Sequence, residues 1–476
     1  MKKSLKYNML FYGLSKYMTV FVTLLTTAIL SRILSPAEFG IVSVITVFTA
    51  FFSILADLGL GTAVIQNKTL SDKELDDIFS FSVLIALFLG IVFGMLGIPI
   101  SWFYGNVLYR KICLLLSVSV FFNAMNIIPN AILMKQKRFV LVGKRLIIVA
   151  LVTGIISIVT ALNGFSYYSL VLQSVFQSIF IFLWNWINAK VRFHLKIQWN
   201  SIKKISQFSF YQFSYNFINY FARNLDNLLI GKVMGAENLA YYDKGYRLMM
   251  YPVQNLTYVI NPIIHPILSD YQDDKNYIYH SYLKIVRILS LIGVFITCFC
   301  FWGSKEIVLL FFGNQWEKSI PLFQALSLSV WPQLISTSAG SIYQSTGNTK
   351  LMFKSGMIHF TTTILSIVIG IYTGSLLMVA LLVAISLYLR FFIDYYFLIA
   401  KNFNISFIRF LLTFRYEVLM VLCLFLIVGI SNPYLTLNYQ VVSLFIKGVI
   451  IGIVYVALLI ITKQYTHIIQ LFKRKE

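Results

Sequence analysis

Arg223-Asn224-Leu225-Asp226-Asn227-Leu228-Leu229-Ile230-Gly231-Lys232 is followed, seven residues on, by Ala240-Tyr241-Tyr242-Asp243-Lys244-Gly245-Tyr246-Arg247. The flanks are rich in Phe, Tyr, Leu and Met, yet the two pieces carry Arg223, Asp226, Lys244 and Arg247. If they cross a bilayer, each central charge costs roughly 2.5–3.5 kcal/mol to insert. Four such charges cost on the order of 10 kcal/mol unless they pair or meet water. The polar floor of a transport cavity accounts for that burden. A structural ion-pair network between two helices is the alternative.

The rest of the chain supports a membrane setting. Of 476 residues, 59% are hydrophobic and 12% charged, against about 45–50% and about 25% in soluble domains. The net charge of +22 lies in short clusters between apolar runs. That pattern fits the positive-inside rule and anionic lipid, and argues against nucleic acid. Cys113, Cys298, Cys300 and Cys423 all sit inside apolar runs with no metal-ligand spacing, as small hydrophobes do. Lys2, Lys3 and Lys6 precede an apolar run too long for a signal peptide and without a small-residue cleavage site, so it is expected to stay as the first helix.

About fourteen apolar runs long enough to span roughly 30 Å recur, near 9–32, 37–64, 78–98, 110–134, 143–162, 166–187, 206–231, 239–266, 282–303, 318–345, 352–372, 376–399, 411–431 and 440–462. The 9–11-residue alternating segments of a membrane barrel are absent. With the N-terminus inside, Lys135, Lys137, Arg138, Lys144 and Arg145 fall on the cytoplasmic side. So do Lys190, Arg192, Lys196, Lys203, Lys204, Lys401, Arg409, Arg415, Lys473, Arg474 and Lys475. Outer loops hold Arg32, Lys232, Lys305 and Lys318, the last two beside Glu306 and Glu317. Both termini are therefore expected inside. Loops are too short for a catalytic domain. Ser71-Asp72-Lys73-Glu74-Leu75-Asp76-Asp77 opens as a capping box, and the acidic 269–275 segment reads as a second helix start.

Leu30-Ser31-Arg32-Ile33-Leu34-Ser35-Pro36-Ala37-Glu38-Phe39-Gly40 aligns, at an offset of 200, with Ile230-Gly231-Lys232-Val233-Met234-Gly235-Ala236-Glu237-Asn238-Leu239-Ala240. A duplicated six-helix unit follows, giving parallel repeats with a cavity between them. The expected domains are 1–198 (helices 1–6), 199–400 (helices 7–12) and 401–476 (helices 13–14 with a basic tail).

Arg223 lies roughly 13 Å inside the outer end of helix 7, with Asp226 on the same face at i+3. Lys244 and Arg247 stand at i+3 on helix 8, giving three bases to one acid, with Asn224, Asn227, Tyr241 and Tyr246 as further hydrogen-bonding groups. Such a set suits an anion such as a diphosphate, since Arg offers a planar fork and Lys a point charge. Lys244 snorkelling outward is the competing reading, and Asp226 is either a counterion or a cation site. Lys16, among Tyr12, Ser15 and Tyr17, faces the same cavity or snorkels to the inner surface. Asp57, before Leu58-Gly59-Leu60-Gly61, reads as a helix-end or gating residue. Pro129 is expected to kink helix 4, with Asn123, Asn126 and Asn130 satisfying the freed backbone groups. Arg390 and Asp394 form an i,i+4 pair, and the five histidines assemble no metal or catalytic set.

Ser31 through Gly40, Ala56-Asp57-Leu58-Gly59-Leu60-Gly61, and the run from Asn224 through Tyr242 to Pro266-Ile267-Leu268-Ser269 together resemble one family. It is the polysaccharide transporter branch of the multidrug/oligosaccharidyl-lipid/polysaccharide exporter superfamily, and the likeness runs from about residue 8 to 350. The resemblance implies an all-α polytopic membrane protein with two six-helix lobes in a V and helices 13 and 14 near lipid tails. It also implies a flippase moving undecaprenyl-diphosphate-linked oligosaccharide from the inner to the outer leaflet of the bacterial cytoplasmic membrane, for capsule, O-antigen or exopolysaccharide. Cargo lipid, membrane lipids, a polysaccharide polymerase and assembly proteins are the implied partners. No cofactor or metal is expected, and coupling to a proton or sodium gradient is left open. A flippase for a peptidoglycan or teichoic acid precursor, or a membrane polysaccharide polymerase or ligase, are the rival readings.

Overall fold

The computed structural model describes the backbone of residues 2–67, 69–269, 274–346, 348–435 and 439–467. Within these, the side chains of 2–6, 205–212, 214–216, 218–219, 221–223, 258–269, 344, 349, 433 and 434 lie outside the description. The chain divides into two compact units, Met1–Ala240 and Tyr241–Glu476.

The first unit runs α1 (Lys2–Ile33), α2 (Pro36–Asp57), α3 (Leu60–Gln66), α4 (Asp72–Tyr104), α5 (Leu108–Met125), α6 (Ile127–Lys135), α7 (Phe139–Leu162), α8 (Tyr168–Ala189) and α9 (Trp199–Val233). Helix α10 (Ala236–Ser269) begins in it and carries on into the second unit. There follow α11 (Lys275–Trp302), α12 (Ser304–Phe312), α13 (Ser319–Ser327), α14 (Val330–Ser336), α15 (Ala339–Ser345), α16 (Thr349–Tyr372), α17 (Leu376–Tyr395), α18 (Phe407–Leu412), α19 (Arg415–Leu435) and α20 (Gln440–Ile461).

The helix starts are written in short polar motifs. At α2, the Glu38 carboxylate accepts from the Ser35 backbone at 2.7 Å, the Glu38 backbone N–H points back at Ser35 Oγ, and Pro36 supplies a preset φ. Helix α4 opens on the same box, from Ser71 and Glu74. Interruptions have an equally local cause. A proline ring collides with the carbonyl four residues earlier. Pro129 thus acts on residue 125, and the fourth run breaks at Asn126, between α5 and α6. Pro332 acts on residue 328, and the tenth run breaks between α13 and α14. That run, expected as one span, is a chain of short helices.

Eleven helices among the described residues are long and apolar enough to cross a membrane. The seventh and eighth runs are continuous helices of 35 and 34 residues, α9 and α10, whose polar content sets them apart from those eleven. Many apolar side chains point outward, among them Phe88 at 66% and Met95 at 67% exposure on α4. A soluble protein rarely exposes such a stripe, whereas a lipid-facing helix requires it.

Helix α9 packs within the first unit. The reason is visible in its side chains. Tyr220 is buried and donates to the Val47 carbonyl, Phe217 lies against Phe51 with ring centroids 5.7 Å apart, and Lys232 reaches the Phe103 carbonyl. The segment leading into α9 is held by the acidic start of α4. Asp77, fully buried, accepts from Ser201 Oγ at 2.7 Å and from the Gln198 backbone at 3.2 Å. Asp76 accepts from the Arg192 backbone at 2.8 Å, and Glu74 pairs with Lys204. Of the second acidic stretch, 270–273 lie outside the described residues, and Asp274 caps α11 through the Tyr277 N–H at 2.9 Å.

The second unit buries two clusters of its own. One gathers Tyr282, Tyr343, Phe391, Tyr395 and Phe410, and the other packs α11 against α19 and α20 through Leu291, Cys298, Leu424 and Ile451. Helix α20 is further tied by Lys447, whose ammonium lies 2.6 Å from Glu306 of α12, with the two side chains only 2% and 4% exposed. Glu306 therefore belongs to the buried interior, and not to an outer loop beside Lys305.

Candidate functional site

The residues that opened the sequence reading fall into different environments. In the first unit, the Arg223 side chain lies outside the described residues, so its expected pairing with Asp226 does too. Asp226 is buried, and its Oδ1 accepts from the Asn227 backbone N–H at 2.8 Å. Asn227 is half-buried on the next position. Lys16 is exposed, with its ammonium 5.4 Å from the Tyr12 ring centroid.

In the second unit, Lys244 and Arg247 share helix α10 but part company. Lys244 is 4% exposed and lies over two aromatic rings, 4.7 Å from the Phe312 centroid and 4.9 Å from that of Trp316. Those ring faces replace part of the water that a buried ammonium loses. Trp316 is itself pinned edge-on by Tyr241, at 5.9 Å between centroids. Lys244 is thus neither open to a cavity nor snorkelling outward. Arg247 is the opposite case. Its Nε lies 2.8 Å from Asp243, one turn back, while the side chain stays 59% exposed. A carboxylate on Nε fixes the plane of the guanidinium, and the exposed remainder presents donors that suit a phosphate or carboxylate. Asp243 corrects the charge count of the candidate set: Arg223, Lys244 and Arg247 stand against two acids, Asp226 and Asp243, not one.

Asp57 ends α2 and accepts from the Gly61 N–H at 3.0 Å, capping α3 across a turn in which Leu58 and Gly59 take positive φ of 43° and 74°. Pro129 is buried on α6, directly after the break it causes. The asparagine side chains there pair with other side chains. Asn126 accepts from Asn185 at 2.7 Å, and Asn130 accepts from Arg145 at 3.0 Å. Arg145 is 6% exposed, so this base belongs to a buried polar network. Sequence reading missed it because four other bases precede it in a cluster that looks solvated. The available signal was position: Arg145 falls six residues into α7, inside the apolar run.

The two aligned junctions meet in the first unit. A Cβ placed on Gly40 would lie 2.0 Å from the Ala236 carbonyl oxygen, so the start of α2 abuts the start of α10 at a position only glycine fits.

Comparison with known proteins places this fold. The chain is similar to the solved structure of a lipid II flippase, MurJ, in an inward closed conformation, with a TM-score of 0.74, 15% identity and coverage of 96% of this chain and 99% of that one. It is also similar to an inward-facing multidrug resistance transporter of the MATE family, of the MOP superfamily, with a TM-score of 0.61, 15% identity and coverage of 78% and 92%. Among curated relatives, a membrane protein in the cps region of Klebsiella pneumoniae is 25% identical over 73% of this chain and 72% of its own length. The lipopolysaccharide biosynthesis protein WzxC of Escherichia coli is 23% identical over 73% and 71%. The succinoglycan biosynthesis transport protein ExoT of Rhizobium meliloti is 21% identical over 76% and 74%. The family described as polysaccharide biosynthesis protein matches residues 29–321, and the chain belongs to that family.

Proposed function

We propose that the chain is a flippase for an undecaprenyl-diphosphate-linked oligosaccharide, carrying it from the inner to the outer leaflet of the bacterial cytoplasmic membrane. It is a transporter and not an enzyme, in keeping with its family and with a fold shared with a lipid flippase and a drug exporter. The observation that carries the cargo reading is Arg247: an oriented, open guanidinium on a long helix of the bundle. Intramembrane charge of this kind is retained for a charged passenger or a partner. The diphosphate would engage Arg247, the oligosaccharide would take polar and aromatic positions near it, and the polyprenyl chain would stay in lipid. Alternating access, first to the inner and then to the outer leaflet, moves the head group without exposing it to hydrocarbon.

Lys244 enters this scheme as a support. Held between Phe312 and Trp316, it fixes the helix that carries Arg247 and adds positive potential to it. A second reading, a peptidoglycan or teichoic acid precursor as cargo, is favoured by the likeness to the lipid II flippase. Both readings need the same cationic contact and differ in the sugar. Replacing Arg223 or Arg247 by Ala is expected to abolish surface polysaccharide while the protein remains inserted at normal abundance. Wild-type surface polysaccharide in both variants overturns the proposal.

A further inference from the structure

The second unit holds a cavity of about 350 Å³ whose walls are strongly basic. Arg287 of α11, Arg409 of α18, Arg415 at the start of α19, and Gln464 and His467 after α20 converge on it. No carboxylate lines it among the described residues. The acid that feels Arg287 is Glu417, which is buried on α19 and does not line the cavity. Three guanidiniums against at most one carboxylate charge leave an excess of at least two positive charges.

The geometry of the lining sharpens the case. Arg287 Nη1 lies 2.9 Å from His467 Nε2. A guanidinium has no acceptor, so the imidazole must accept, which makes His467 neutral with its proton on Nδ1. Burial, and then the Arg287 charge, hold the His467 pKa below its ordinary value. The histidine therefore orients Arg287 without neutralising it. Arg287 Nε is buried with no hydrogen-bond partner among the described residues. Arg415 is steadied by its neighbour, donating from Nη2 to the Tyr416 hydroxyl at 3.1 Å with the guanidinium 4.7 Å from that ring. Like charges gathered on separate elements repel, and a water-accessible anion with several acceptor oxygens is what relieves them.

Depth narrows the ligand. Arg415 opens one candidate span, and His467 lies just beyond the end of another, which closes at Ile461. The cavity thus sits where hydrocarbon gives way to headgroups, on the side the charge bias assigns to the cytoplasm. We propose that Arg287, Arg409 and Arg415 form a phosphate-binding site at the inner membrane surface. The same chemistry has two sources, the phosphodiester of an anionic phospholipid or a soluble phosphate. This inference stands apart from the flippase reading, since it needs only that α19 and α20 cross the bilayer.

The test uses the purified full chain in neutral detergent. Its thermal unfolding is followed while phosphatidylglycerol, phosphatidylcholine or inorganic phosphate is titrated in at constant ionic strength. The expected result is a saturable upward shift with phosphatidylglycerol and none with phosphatidylcholine; an equal shift with inorganic phosphate assigns the site to soluble phosphate instead. Arg409→Gln/Arg415→Gln removes two exposed charges and is expected to weaken the apparent affinity at least about tenfold, as loss of charge-assisted hydrogen bonds does. Lys463→Gln, a cation outside the lining, should leave it unchanged. Arg415→Gln alone serves if the double variant unfolds. The proposal is overturned if neither anion gives a saturable shift, or if the arginine variants bind as tightly as the wild type.

Discussion

Removing the ammonium of Lys447 strands a carboxylate in the interior of the second unit. Lys447 lies 2.6 Å from Glu306, donates to the Trp302 carbonyl at 3.1 Å, and both charged side chains are almost wholly enclosed. Ser443 also donates to Glu306 Oε1 at 2.9 Å, and Glu306 Oε2 has no hydrogen-bond partner among the described residues. With Lys447→Met, one hydroxyl is left to compensate a full negative charge. Breaking a buried pair by deleting one partner costs about 3–5 kcal/mol, whereas replacing both partners with neutral groups of similar volume is often close to neutral. The expected order is therefore wild type, then Lys447→Met/Glu306→Gln within about 1 kcal/mol, then Lys447→Met alone about 3–5 kcal/mol below wild type. Thermal and denaturant unfolding of the three proteins in one detergent, with α20 followed by a fluorophore at exposed Val456, reads this cycle. Equal losses in the single and the double variant would refute the reasoning, because the pair would then carry no coupling.

Two further predictions rest on packing. Gly40→Ala drives a Cβ to 2.0 Å from the Ala236 carbonyl oxygen, and the resulting separation of the two helix starts is expected to cost about 1–3 kcal/mol, checked by unfolding in detergent. Lys244→Met keeps the volume between Phe312 and Trp316 but gives up the cation–ring attraction, a loss of about 2 kcal/mol for a desolvated pair. Export by this variant is expected to persist, in contrast to Arg247→Ala, and surface polysaccharide measured side by side separates the two roles.

Apolar length made the helices legible. A run of some twenty apolar residues has few alternatives in a bilayer, and the box at Ser71–Glu74 marked one start to within a residue. Asp57 and Pro129 were legible for the same local reason, since a cap and a proline act within one turn. Side-chain pairing was not. The contact between Glu306 and Lys447 joins segments far apart in the chain, and that between Arg145 and Asn130 crosses from one helix to the next, while composition alone assigned the acid to a loop and grouped the base with a solvated cluster. Asp243 was in plain view beside Lys244, and its i,i+4 spacing to Arg247 was readable; the excess of bases drew attention from it. The broken tenth run shows a different limit, because hydropathy counts Pro332 as one residue among many while the backbone yields to it.

The central claim is that the chain moves a diphosphate-linked lipid across the membrane. Its most direct measurement is the leaflet distribution of that lipid after depletion of the protein, with a membrane-impermeant probe of the oligosaccharide applied to intact spheroplasts and to inverted vesicles. The account predicts that lipid-linked oligosaccharide accumulates on the inner leaflet, that wild-type protein restores its passage, and that Arg247→Ala does not. An unchanged outer-leaflet pool after depletion, or full rescue by Arg247→Ala, would contradict it.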